Sequence, residues 1–315
     1  MDSQQLEALY QQTMDHYVKG KTDLYKAGLH MCAKLGHPLA CYFKGVAHLF
    51  GNDFEYDPKL AYELLSEANQ KNVLSAKAYL GYCHFIGCKV EYDPAKAFAF
   101  YKEAYLQNSN NVAPFLGLAF WEGRGAAQDE AKAVQLWKEG VEQDDPLAKA
   151  FLDLCYMEYN DFTNKVLGTA RTKTEAAKEF LSLGGYFRDM PRIYGEFSRL
   201  VEEEPEFFNA KPKNIFDFAQ KGAIRHDPCS LHRLAHCYAK GIGCDADPQK
   251  ALNFYYEAAG LHFVPAMVDL GLSLIMGSLG VTNEKLGREY LGYARRFGTD
   301  SENDTLDRTL AKLGL

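Results

Sequence analysis

Glycine recurs in this chain at a fixed step. Gly45, Gly81 and Gly117 stand 36 residues apart, Asp153 takes the next place in the series, and after a longer gap Ala235 and Gly271 are again 36 apart. A pattern repeated at this period predicts a row of similar supersecondary units, each covering its neighbour's apolar face. The spacing therefore predicts a solenoid before any single residue is interpreted.

Within each unit the residue types read as two helices and a turn. Gly51, Gly87 and Gly123 fall six residues after the first glycine, where helix A must end and the chain turn back. Asp57, Asp93 and Asp129 follow six residues later and suit the N-cap of helix B, with Pro58 and Pro94 at the first helical position, where a missing N–H costs nothing. Small residues then recur at Ala61, Ala97 and Ala133 and at Ala68, Ala104 and Gly140, with Leu64-Leu65, Phe100-Tyr101 and Leu136-Trp137 between them. That alternation predicts helices that approach closely where side chains are small and fill the gap where they are large.

Along the chain, residues 1–38 read as a shortened N-terminal unit, with Gly36 as a left-handed C-cap before Pro38. Three regular units fill 39–146. Residues 147–228 read as two irregular units: the first carries a longer loop from Asn160 to Thr172, then a capping box, Thr172 to Glu175, ahead of Ala177, Phe180, Leu181 and Gly184. Two regular units return over 229–298, and 299–315 reads as a C-terminal cap. No low-complexity linker divides the chain, so one solenoid of about seven or eight helix pairs is expected.

The run L-G-x-x-Y-x-x-G-x-G followed by D-P-x-K-A-x-x-(F/Y)-(Y/W)-x-x-A-A resembles the Sel1-like repeat, a relative of the tetratricopeptide repeat. It is fullest from Leu234 to Ala259 and close to complete from Leu80 to Ala104 and from Leu116 to Gly140. Departures are Lys44 ahead of Gly45, Asp153 and Ala235 in place of the helix glycine, and the irregular 156–228 stretch. The resemblance implies an all-α, right-handed superhelix of antiparallel helix pairs, acting as an adaptor or scaffold for other proteins. The Ser-x-x-Lys, Ser-Asp-Asn and Lys-Thr-Gly set of serine β-lactamases is not assembled, so that activity, attached to some relatives, is not expected here.

A formal net charge of -7 and a pI near 5.8 give no general attraction for nucleic acid or anionic lipid, and no basic stripe reverses this locally. The first residues lack a secretory leader and no apolar run is long enough to span a bilayer, so a cytoplasmic protein is expected; one exported without a cleaved leader would read the same.

Laying tetratricopeptide geometry on the register places helix A on the concave side and names a partner-binding face: Tyr42, Tyr82, Phe85, Trp121, His232 and His236, together with Val46, Leu49, Leu118, Val268, Leu272 and Ile275, its groove centred on Tyr82, Phe85 and Trp121. The expected partner is a protein or peptide. Cys229, His232 and His236, spaced i, i+3, i+7, share one helical face and form the one candidate for zinc or copper. The His-Glu-x-x-His glutamate is missing, and a single helix face rarely completes a tetrahedral site, so no metal or cofactor is expected. Cys83, Cys155 and Cys237 occupy a register position otherwise held by alanine or serine and read as unpaired packing residues. Gly20-Lys21-Thr22 reads as a turn, because a P-loop needs glycine at Asp15 and a preceding strand. The acidic run Glu202 to Glu206 reads as a solvated loop. Two further readings stay open: a dedicated inhibitor or immunity-type partner of one toxic or enzymatic protein, and a metal-binding protein or enzyme using the Cys229 face.

Overall fold

The computed structural model describes residues 2–109, 111–183 and 190–315. Among these are eighteen helices and no strand: α1 (Ser3–Val18), α2 (Thr22–Lys34), α3 (Pro38–Phe50), α4 (Pro58–Gln70), α5 (Ser75–Ile86), α6 (Pro94–Leu106), α7 (Ala113–Glu122), α8 (Glu130–Glu142), α9 (Pro146–Glu158), α10 (Asn160–Leu167), α11 (Lys173–Ser182), α12 (Arg192–Glu203), α13 (Pro212–Ala223), α14 (Pro228–Lys240), α15 (Pro248–Gly260), α16 (Val264–Met276), α17 (Glu284–Phe297) and α18 (Asp300–Leu313). Most consecutive helices pack as hairpins that stack on their neighbours, while α11 pairs with α9 across α10.

Local chemistry fixes the hairpins. Asp57, Asp93, Asp129 and Asp247 each accept the backbone N–H three residues on, and Asn283 does the same for α17. Gly51, Gly87, Gly123, Gly241 and Gly277 close their helices with positive φ. At Gly125 a second reason operates: a Cβ there would lie 2.0 Å from the carbonyl oxygen of Pro94 in the preceding unit.

The glycine of helix A is a contact residue. A Cβ on Gly45 would meet Leu65 at 2.9 Å, one on Gly81 would meet Tyr101 at 2.4 Å, and one on Gly117 would meet Trp137 at 2.3 Å. Each large residue lies 20 positions on, in the partner helix, and Leu65, Tyr101 and Trp137 are almost completely buried. Asp153 stands at the same register position but is a different kind of contact: it is fully buried and bound by Arg171 (2.6 Å) and Lys149 (3.3 Å).

Two expectations are corrected. The extra residues after Asn160 are not all loop, since 160–167 form α10, anchored by Thr163, whose hydroxyl donates to the carbonyls of Cys155 and Tyr159. The acidic run is not freely solvated: Glu202 pairs with Arg233 and His236, Glu203 with Arg199 and Glu204 with Lys173. Gly184 lies outside the described residues.

The row curls back on itself. The turn after α3 meets the residues before α14: Tyr56 stacks on His226 with centroids 3.8 Å apart, and Arg225 donates to Asn52. One unit on, Tyr92 stacks on His262 at 4.5 Å, between the turn after α5 and the start of α16. At the third level Arg124, after α7, donates to the Phe297 carbonyl and pairs with Glu302. These three levels advance in step along both edges. The exposed surface, 14870 Å² for 35.5 kDa, is only modestly above the roughly 13,000 Å² of a globular protein of this mass.

Candidate functional site

Where the two edges meet, α7, α9, α12 and α14 enclose a charged seam. Arg192, Glu196 and Arg199 recur at helical spacing and so share one face of α12. Arg192 pairs with Glu122 and with Glu196 (2.8 Å), and Arg199 pairs with Glu158 (2.5 Å) and Glu203 (2.8 Å). Burial pushes the Glu196 carboxyl up, but Arg192 and Arg199 more than offset it and hold the group down at about 2. Arg124 is held between Glu122 and Glu302 at 2.9 Å from each, and also donates to the Tyr92 hydroxyl at 2.8 Å.

Three cavities adjoin along this seam. One of about 150 Å³ has an aromatic wall of Trp121, Trp137 and Phe151 and a charged wall of Glu158, Arg192 and Arg199. A second, about 230 Å³, shares Glu122, Arg192, Glu196 and Arg199 with the first and adds Cys229, His232 and Phe263. The third, about 350 Å³, shares Pro265 and Glu302 with the second and runs between Val268 and Leu272 on α16 and Leu306 on α18. Side by side they make a channel-like row of separate spaces with an aromatic end, an ionic middle and an aliphatic end. Ion pairs in the middle offer charge-assisted hydrogen bonds to an entering polar segment, while the ends offer apolar contact.

The residues expected on a partner-binding face lie at different depths. Trp121 is half-buried in the channel wall, with its ring beside Trp137 and Tyr159. His232 also lines the channel and meets Asp269 through Nε2 at 2.8 Å. Tyr82 is 2% exposed and covered by the chain itself: its hydroxyl donates to Asp227, at 3.4 Å, on the opposite edge. Phe85 is 4% exposed and packs near Tyr101. Tyr42 lies outside the channel, lining a separate cavity of about 130 Å³ with Tyr17, Tyr25 and Phe43. His236 faces Glu202, and burial, reinforced by Arg233 and His232, pulls its pKa down to about 4.

Cys229, His232 and His236 do not converge. Cys229 reaches Glu196, His232 reaches Asp269 and His236 reaches Glu202, and no group of three or more metal-ligating side chains is gathered among the described residues. The eight cysteines are unpaired, seven of them buried. No helix among the described residues is long and apolar enough to cross a membrane.

Sequence reasoning missed Arg192, Glu196 and Arg199, which lie in the irregular stretch, and also the two stacking histidines. For the histidines a signal existed. His226 and His262 occupy the positive-φ position that Asn72, Asn108 and Asp144 fill in the other units, so the register sets an imidazole at the same point of two units.

Four stretches, 38–73, 74–109, 115–151 and 230–262, match the model of the Sel1 repeat. Among solved structures, a Sel1 repeat protein from Oxalobacter formigenes is 21% identical over 91% of this chain and 96% of its own, with a TM-score of 0.39. A protective antigen present in uropathogenic Escherichia coli strains and displaying an SLR fold is 17% identical over 96% of this chain and 74% of its own, with a TM-score of 0.38. No curated protein matches the chain. The helix pairs over 38–73, 74–109, 115–151 and 230–262 are Sel1 repeats, set in a row of helices that continues on either side of them.

Proposed function

We propose that this protein is a non-catalytic interaction scaffold that holds a segment of a partner protein in the channel between Trp121 and Leu272. The observation that carries the reading is the wall of half-buried Trp121 beside the Arg192–Glu196–Arg199 face: a large aromatic with one accessible side next to fixed charges is the composition of an interface hot spot. Tyr82 and Phe85 are buried among Phe50, Phe115 and Tyr101 and line none of the three cavities, so they are left out of the binding surface. The partner is a protein or peptide; the net charge of -7 supplies no footprint for nucleic acid.

The test compares wild type with Trp121→Ala in capture of partner proteins identified by mass spectrometry and then in binding the captured partner. Loss of a central aromatic typically costs about 2 kcal/mol, roughly thirtyfold in affinity. The variant should lose about that much while its helical signal and melting temperature stay near those of wild type. Unchanged binding by a folded Trp121→Ala variant overturns the reading.

A further inference from the structure

The aliphatic end of the channel is closed by α18, and the way this helix is seated differs from the way the others are. Leu306 is its one buried residue. It looks across at Val264, Val268 and Leu272, yet a cavity of about 350 Å³ remains between them. The space is a groove open to solvent, so α18 covers the apolar face of α16 only in part. On its outer side α18 is held by an exposed pair, Arg295 with Asp307, and by Asn303 donating to the Arg295 carbonyl, contacts of the kind that contribute little.

The inner side is more demanding. Glu302, in the first turn of α18, is one of the two carboxylates holding Arg124, a guanidinium 7% exposed beside Tyr92 and Glu122. Withdrawing one partner from a buried charge is costly, so whatever replaces α18 must bring an acid to Arg124. It must also bring a branched aliphatic side chain one helical turn further on, as Leu306 follows Glu302, to meet Val268 and Leu272. We propose that α18, which walls the channel's aliphatic end, is a resident stand-in for the partner, and that the partner docks against α16 in its place as a helix with an acidic first turn and a leucine four residues on, displacing α18. This rests on the channel reading above and names the chemistry of its ligand.

The experiment uses the full chain. A fluorescent peptide copying residues 299–315 is titrated, by anisotropy, against wild type and against a full-length variant carrying Glu302→Gln and Leu306→Ser, whose own α18 is weakened as a competitor. The variant should bind the peptide at least tenfold more tightly than wild type, and a control peptide with the same two substitutions should not bind it. Equal affinity for both proteins, or binding to neither, overturns the proposal. Hydrogen exchange on the wild type gives an independent answer: the amides of α18 should exchange at least tenfold faster than those of α16 and α17, and equal protection overturns it. If the peptide docks as expected while Trp121→Ala leaves partner capture intact, the displacement of α18 stands and the location of the partner site fails. If Trp121→Ala abolishes capture and the peptide never docks, the reverse holds.

Discussion

At the scale of single residues, glycine works in two opposite ways along this chain. Gly117 lies where the Trp137 ring presses on the helix backbone, so Gly117→Ala overpacks the contact and should destabilise by about 1–3 kcal/mol despite alanine's better helix propensity. Gly292, inside α17, is exposed and has open space where a Cβ would go; Gly292→Ala should stabilise by up to about 1 kcal/mol. Urea melts of the pair decide it, and a Gly117→Ala variant as stable as wild type or more so would show that packing against Trp137 is not what holds Gly117. Asp227 makes a pH-dependent case. Burial pushes its carboxyl up to about 6, against which Arg192 and the Ser230 N–H act only in part. An unfolded carboxyl titrates near 3.9, so as pH rises from about 4 to about 6 the unfolded chain releases this proton first and the native state loses stability relative to it. Asp227→Asn cannot ionise, yet its amide can still cap Ser230 and face Tyr82. Its melting temperature, relative to wild type, should rise between pH 4 and pH 7; a difference that stays flat would show that Asp227 does not ionise in that window.

At the scale of elements, the hairpins were legible because their causes are local. An aspartate that caps the helix beginning at the next residue, a proline that tolerates its first turn and a glycine that ends the one before all lie within a few positions of what they determine, and they repeat. Asp93 and Gly87 could be placed from the sequence for that reason. α10 was not, since its anchor is a hydroxyl, that of Thr163, whose two carbonyl acceptors become neighbours only once α9 has formed. The cysteines behave as element residues too: Cys83 on α5 and Cys237 on α14 are fully buried, and burial raises the pKa of both thiols. Cys244, just beyond α14, is the one cysteine with an accessible edge. A disulfide reagent at neutral pH should therefore react first with a single thiol per native chain, removed by Cys244→Ser, and with eight after unfolding without reductant. Several fast-reacting thiols in the native state would contradict the packing of α5 and α14.

At the scale of the whole molecule, the determining contacts join residues far apart in sequence, and this is where sequence reading ended. The register named Tyr82 as a surface for a partner; the structure gives it Asp227 of the same chain as its contact, because the repeat row curls until its two edges meet. Tyr56 with His226, and Tyr92 with His262 one unit on, are two copies of one fastening, with the third level completed by Arg124. Stacked aromatic pairs contribute about 0.5–1.5 kcal/mol each beyond their buried area, so the two together offer about 1–3 kcal/mol toward closure. The variant His226→Asn with His262→Asn removes that contribution. Asparagine already occupies the corresponding positive-φ positions at Asn72 and Asn108, so the turns keep their geometry, while the stacking is lost together with the His226 pair with Glu257 and the edge contact of His262 with Phe297. Small-angle scattering should show a larger radius of gyration for the double variant than for wild type, with the far-UV helical signal unchanged, since each hairpin retains its caps and its glycine contacts. A scattering profile identical to that of wild type would mean that Arg124, Arg192 and Tyr82 hold the edges together without the histidines, and that the stacks follow closure instead of causing it.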